Sequence, residues 1–175
     1  SSGLSGCQRC SARPASGPAR LPTAGSIEFA GRSVVGCTSS DIALSGIART
    51  FQNVQLFGEM TALQNVQVGL HHTFDNNIVD VALHTPHFTR EENSAIQRGL
   101  GLLRFVGLGD LAGEEARNLP YGKQRLLEIA RALALDPQLL LLDEPAAGLT
   151  APDIKELATI LRKISDHGIP VILIE

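Results

Sequence analysis

The sequence predicts an α/β fold with a parallel-sheet core, on three observations from its carboxyl-terminal half. Leu139 to Leu142 is a short continuous apolar run ending in Asp143-Glu144-Pro145, the pattern of a strand buried on both faces. After Thr150, the residues Ile154, Leu157, Ala158, Leu161 and Ile164 keep a 3.6-residue period that Gly168 closes. Ile169 to Ile174 then reads as a second buried strand, so strand, helix and strand form a crossover between parallel neighbours.

The start of that helix is marked by Thr150, by Asp153 three residues on, and by Pro152 in the first turn. A preceding helix is expected from about Gly122 to Leu135, with Leu126, Ile129, Ala130 and Leu133 as its apolar stripe and Asp136-Pro137 as its stop. Earlier, Thr89 with Glu92 reads as a capping box ahead of Ile96, Leu100, Leu103 and Val106, and the glycines around Leu108 end that helix. Leu63, Val66 and Leu70 mark a short helix capped by Thr61. Nearest the amino terminus, Ile27, Phe29 and Val34-Val35 flank Ala30-Gly31, which predicts a small antiparallel pair. Ile47 to Val54 shows a mixed pattern.

With 175 residues, 43% of them hydrophobic and 19% charged, the chain has the composition of one globular domain. A net charge of −3 and a pI near 5.9 argue against a chain built to grip nucleic acid. No apolar run approaches the roughly 20 residues of a membrane-spanning helix. Cys7 and Cys10 form a C-x-x-C pair with no second pair, and His71, His72, His84 and His87 keep no common spacing, so neither group predicts a metal site. Ser1 to Pro22 is rich in Ser, Gly, Pro and Arg, has no acidic residue, and reads as a disordered or foreign segment. An organellar transit peptide shares that composition, but no amphipathic pattern supports one. Since residue 1 is Ser and Met60 is the only methionine, the chain is expected to be a fragment or a processed product.

Chemistry is expected at the carboxyl end of the Leu139 to Leu142 strand, because ligands of open α/β sheets bind at that end. Asp143 is placed to hold magnesium through its water shell, and Glu144 to orient and deprotonate an attacking water. On these residues alone a plain polar strand end at a turn remains open.

The surrounding residues carry a resemblance. Asn118 to Ala134, with Leu119-Pro120-Tyr121-Gly122-Lys123-Gln124-Arg125, resembles the signature motif and helix of ABC-transporter ATPases. Leu139 to Pro145 resembles their Walker B strand, Ala146-Ala147-Gly148-Leu149-Thr150 their D-loop, and Arg49-Thr50-Phe51-Gln52-Asn53 their Q-loop. The order and spacing agree over roughly Ala24 to Glu175. The Pro120 to Arg125 stretch, the D-loop and Thr50 to Phe57 look most like the ATPase subunits of branched-chain amino acid importers.

The resemblance implies a partial ABC-type P-loop NTPase fold, with a parallel-sheet core, a helical subdomain and missing amino-terminal core strands. It implies ATP and Mg2+ as ligands, with Gln52 contacting magnesium and water, Asp143 at the metal, and Glu144 catalytic. Pro120, Tyr121, Gly122, Lys123 and Gln124 would close over the nucleotide of a second ATPase subunit through backbone amides and the helix dipole. The family pattern there is Leu-Ser-Gly-Gly-Gln, so Pro120 removes a hydroxyl and an N–H, and Lys123 replaces the glutamine. Partners would be that second subunit and the integral membrane permease subunits, with no nucleic acid, at the cytoplasmic face of the cell membrane. The expected divisions are 1–22, a foreign segment; 23–53, a remnant of the nucleotide-binding core; 54–119, the helical subdomain; and 120–175, the signature helix, Walker B strand and D-loop.

A phosphate loop needs G-x-x-x-x-G-K-S/T. Lys123 precedes Gln124, Lys155 precedes Glu156 and Lys163 precedes Ile164, so no lysine completes it. The family would place that loop ahead of Gly25, where Ser1 to Pro22 stands, and its switch histidine after the strand that reaches Glu175; His167 lies before that strand. Weak ATP binding is therefore expected, together with an open edge on the Walker B strand where the phosphate-loop strand would pair. The alternative function is a non-catalytic module that docks on a permease through about Asn53 to Leu119. ABC-type ATPases of DNA repair share the signature, but their long heptad repeats are absent from the sequence.

Overall fold

The computed structural model describes residues 25–50, 55–70 and 86–174, with only the backbone of 86–93. The chain divides into two compact units, Ser1–Ser45 and Gly46–Glu175. In the first, β1 (Glu28–Phe29) pairs antiparallel with β2 (Arg32–Ser33) as expected. Ala30 and Gly31 both have positive φ, +50° and +74°, which a two-residue type I′ turn requires. Helix α1 (Ser39–Leu44) follows, with Thr38 and Asp41 in a reciprocal capping box that the sequence reading did not anticipate.

The second unit contains a parallel sheet. Its described strands are β3 (Ile47–Arg49), β4 (Leu139–Asp143) and β5 (Val171–Ile174), in the order β3-β4-β5. Ile47 stands opposite Leu139 and Arg49 opposite Leu141, while Asp143 stands opposite Ile174. The edge of β4 expected to be open is therefore paired, because the stretch of mixed pattern begins with a strand. The burial expectation also needs correction. Leu140 and Leu142 are fully buried, but Leu139 and Leu141 are only partly so, and Ile172, Leu173 and Ile174 of β5 are about half exposed. Burial on both faces needs a packed layer on each, and β5 has a paired neighbour on one edge only among the described residues.

Helix α2 (Ala62–Leu70) starts as read: Thr61 N–H donates to Gln64 Oε1 at 2.9 Å, and Gln64 N–H donates to Thr61 Oγ1 at 3.2 Å. Helix α3 spans Pro86–Phe105, so Thr89 lies inside it and is not the cap. Proline fits a first helical turn, where its missing N–H costs nothing, and this moves the start upstream. At the end of α3, Gly107 has φ +79°, its N–H donates to Arg104 O, and Leu108 N–H donates to Leu103 O at 2.7 Å. Those two bonds form a Schellman motif, and the buried Leu103 and Leu108 supply its apolar contact.

Helix α4 spans Tyr121–Leu133. Its predicted stripe is buried, but so are Arg125, Leu127, Glu128 and Ala132, because the helix lies within the core rather than on its surface. Arg125 Nη1 donates to Glu128 Oε2 at 3.1 Å, with both side chains 4% exposed. Arg131 reaches over the Phe57 ring at 5.8 Å, and burial lowers its pKa against the opposing pull of Glu128. Helix α5 (Ala151–Asp166) has Thr150 as its cap and Asp153 in the reciprocal bond, as the sequence predicts. Gly168, at φ +86°, ends it with a second Schellman pair of bonds. The Cys7–Cys10 pair and the 71–84 histidines lie outside the described residues, as does the side chain of His87.

Gly69 shows which effect dominates where α2 meets α4. A Cβ there would stand 2.6 Å from Arg131 O and 2.8 Å from the Ala134 Cβ. Helix propensity alone favours alanine over glycine by about 1 kcal/mol, whereas overpacking costs about 1–3 kcal/mol. Gly69→Ala is expected to lower stability by about 1 kcal/mol in urea unfolding. Gly101→Ala, an exposed helical site with nothing within 4 Å, should instead raise it by about 0.5 kcal/mol.

Candidate functional site

The carboxyl ends of β3 and β4 bring together residues far apart in sequence. Thr50 N–H donates to Leu141 O at 3.0 Å, which extends the ladder past Arg49 and leaves that side chain beside the end of β4. Arg49 Nη2 reaches Asp143 Oδ2 at 2.6 Å, with side-chain exposures of 54% and 23%. The bond is charge-assisted, but at that exposure it is worth at most about 1 kcal/mol. Arg49 was not singled out from sequence, since nothing local links it to an acid 94 residues away.

Glu144 follows in the left-handed region at φ +45°. Its N–H donates to Ile174 O at 2.8 Å, and its carbonyl accepts from Ala147 N–H at 3.1 Å, so β5 and the next turn hold the strained residue in place. Such a φ costs a non-glycine residue about 1–2 kcal/mol. Backbone strain of this kind collects at functional sites. The side chain of Glu144 is exposed.

The turn that opens α4 is built differently. Pro120 is the N-cap residue at φ −54°, ψ 148°, and supplies no side-chain cap. Its carbonyl accepts from Lys123 N–H at 2.9 Å and Gln124 N–H at 3.0 Å. Gln124 Nε2 donates to Leu119 O at 2.9 Å, so this side chain shapes its own turn. Lys123 Nζ contacts both oxygens of Glu156 on α5, at 2.7 and 2.9 Å. A Cβ on Gly122 would stand 2.6 Å from Asp153 Oδ1, so a larger residue there would have to displace that carboxylate. Tyr121 is 43% exposed, and its ring packs with Arg125 at 5.4 Å.

The structure thus places Asp143 and Glu144 at one strand end, and Pro120 to Gln124 at the start of α4. Gln52 lies outside the described residues. Thr50, Arg125, Glu128, Leu142, Pro145 and Leu157 line a small cavity between β4 and α4. For magnesium, two adjacent carboxylates suit a hard cation that keeps its waters and takes further oxygens from phosphates. For phosphates, the helix start offers backbone amides, while the amine of Lys123 is already held by Glu156.

A parallel sheet with paired acids at the end of its central strand, preceded in the chain by a helix that opens on a glycine turn, is the arrangement of an ATP-binding cassette. The sequence profile described as ABC transporter matches residues 18–147, and the chain belongs to that family. Among curated relatives, the high-affinity branched-chain amino acid transport ATP-binding protein BraF of Pseudomonas aeruginosa is 41% identical over 155 residues, 88% of this chain and 61% of BraF. LivG of Salmonella typhimurium, which carries the same description, is 40% identical over 87% of this chain and 60% of its own length. The chain therefore spans about three-fifths of the length of these relatives. Among solved structures, the ADP conformation of MJ1267, an ATP-binding cassette of an ABC transporter, aligns with a TM-score of 0.70 at 26% identity, covering 87% of this chain and 59% of that one. The fold is accordingly a partial P-loop NTPase fold of the ABC type. No described helix is long and apolar enough to cross a membrane.

Two variants test the local geometry. Glu144→Gly should be more stable than Glu144→Ala by about 1 kcal/mol in chemical denaturation, because only glycine relieves the positive φ. Arg49→Met should lower stability by less than about 1 kcal/mol, and that loss should vanish in 1 M salt if the exposed pair accounts for it.

Proposed function

We propose that the chain is the Q-loop, signature and Walker B portion of an ATP-binding subunit of an ABC importer, whose parent couples ATP hydrolysis to branched-chain amino acid uptake. The observation that carries this reading is the placement of Asp143 and Glu144 at the end of the central strand β4, with the uncapped start of α4 opening on a glycine turn. The solute rests on the described transport of BraF and LivG.

In this reading Asp143 holds magnesium through its water shell, exchanging its bond to Arg49 for that contact. Glu144, exposed and set by its left-handed backbone, orients the attacking water and accepts its proton. Gln52 contacts the metal and the same water. Bound magnesium would neutralise charge on the transferred phosphate. Pro120 to Gln124 close over the nucleotide held by a second ATPase subunit, and the contacts above refine how. Gln124 and Lys123 are engaged within the chain, so the turn works through backbone N–H groups and the helix dipole. Phe57 and Met60 are exposed apolar residues ahead of α2, and they favour a permease as the further partner, at the inner face of the membrane.

Within Ser1–Glu175 no lysine stands in a phosphate loop. Each charge-assisted phosphate contact is worth about 1.5–3 kcal/mol, so the lone chain should bind ATP orders of magnitude more weakly than a complete site. Calorimetric titration of the chain with ATP and magnesium is expected to show no saturation in the micromolar range. Micromolar binding would overturn the deficiency and would require a phosphate site elsewhere in these residues.

A further inference from the structure

Three consecutive residues of the signature turn meet the D-loop and the start of α5. The Tyr121 ring lies against Gly148, where an added Cβ would be 3.3 Å from Tyr121 Cε1. Gly122 fits against the Asp153 carboxylate, and Lys123 is gripped by both oxygens of Glu156. Asp153 and Glu156 are three residues apart and share one face of α5. The first contact is with the D-loop and the second with the first turn of α5. The third lies a turn further along α5, so it resists rotation of the α4 start about the other two.

The charge of Lys123 fits this role. A cation in the first turn of a helix opposes the macrodipole, and Glu156 offsets that cost by pairing with the amine.

We propose that Lys123 is a positioning residue: its ion pair with Glu156 makes the signature turn and the D-loop move as one body, fixing the spacing of the groups this chain presents to a second ATPase subunit. The purpose rests on the function proposed above. The test does not, because it uses no nucleotide, and the two can fail separately.

Native-state hydrogen exchange on the 175-residue chain reads the coupling directly. Lys123 and Gln124 N–H groups bond within the signature turn, and Ala147 and Leu149 N–H groups bond within the D-loop. Glu156→Gln and Lys123→Gln are each expected to speed exchange at all four amides by about two- to five-fold, more than at the Asn65 amide of α2, with the unfolding midpoint lowered by no more than that same loss of stability. The double variant should be no faster than either single, and Lys123→Arg should restore the slow rates. Raising salt to 1 M should produce the same pattern in the unaltered chain, without any substitution. Acceleration confined to Lys123 and Gln124, with Ala147 and Leu149 unmoved, would overturn the proposal. So would additive effects in the double variant.

Discussion

The parallel pairing of β4 along both its edges sets where the sheet's candidate residues stand. Side chains alternate along a strand, so Leu140 and Leu142 enter the core while Leu139, Leu141 and Asp143 share the opposite face. A slip of one residue would expose both leucines and turn Asp143 inward. Burying each leucine is worth about 1.5–3 kcal/mol, more than the exposed ion pair at the strand end can return. Packing thus fixes the register, and Arg49 meets Asp143 as a consequence. The polar site inherits its geometry from the apolar face beneath it.

A second dependence runs through Asp153. One of its oxygens completes the capping box with Thr150, with Thr150 Oγ1 donating to Oδ2 at 2.6 Å, and the other faces Gly122. The local signal that starts α5 therefore also determines how closely α4 can approach. Any residue larger than glycine at 122 would have to push against a carboxylate already held by its own helix cap. This ties the D-loop, which leads into Thr150, to the turn that opens α4.

The sequence showed α4, β4 and α5 clearly, because each combines a strong period with a breaker or a cap at its ends. The small hairpin and the Thr61 cap were legible for the same reason. β3 was not, since Ile47-Ala48-Arg49 is too short to show alternation. Thr89 and Glu92 formed a valid capping pattern that the helix overrode by starting at Pro86. β5 read as buried because its residues are apolar, yet composition says nothing about which faces find a neighbour. In the site, the position of Asp143 and Glu144 followed from the strand and its stop. The engagement of Lys123 with a residue 33 positions later did not, because no local pattern encodes a contact between two helices. The roles assigned to Pro120 through Gln124, and to Gln52, come from resemblance rather than from geometry.

Asp143 and Glu144 are neighbours in sequence, and the backbone gives them different surroundings. In a continuing strand, consecutive side chains would point to opposite faces and one acid would enter the core, where an ionised carboxylate is costly. The left-handed φ of Glu144 ends the strand at once, so the second acid stays exposed instead. Its cost, of order 1–2 kcal/mol, is sustained by the bond to Ile174 O and by the turn through Ala147. Strain at that one residue is therefore what lets two adjacent carboxylates coexist at the strand end, one bonded to Arg49 and largely sheltered, the other exposed.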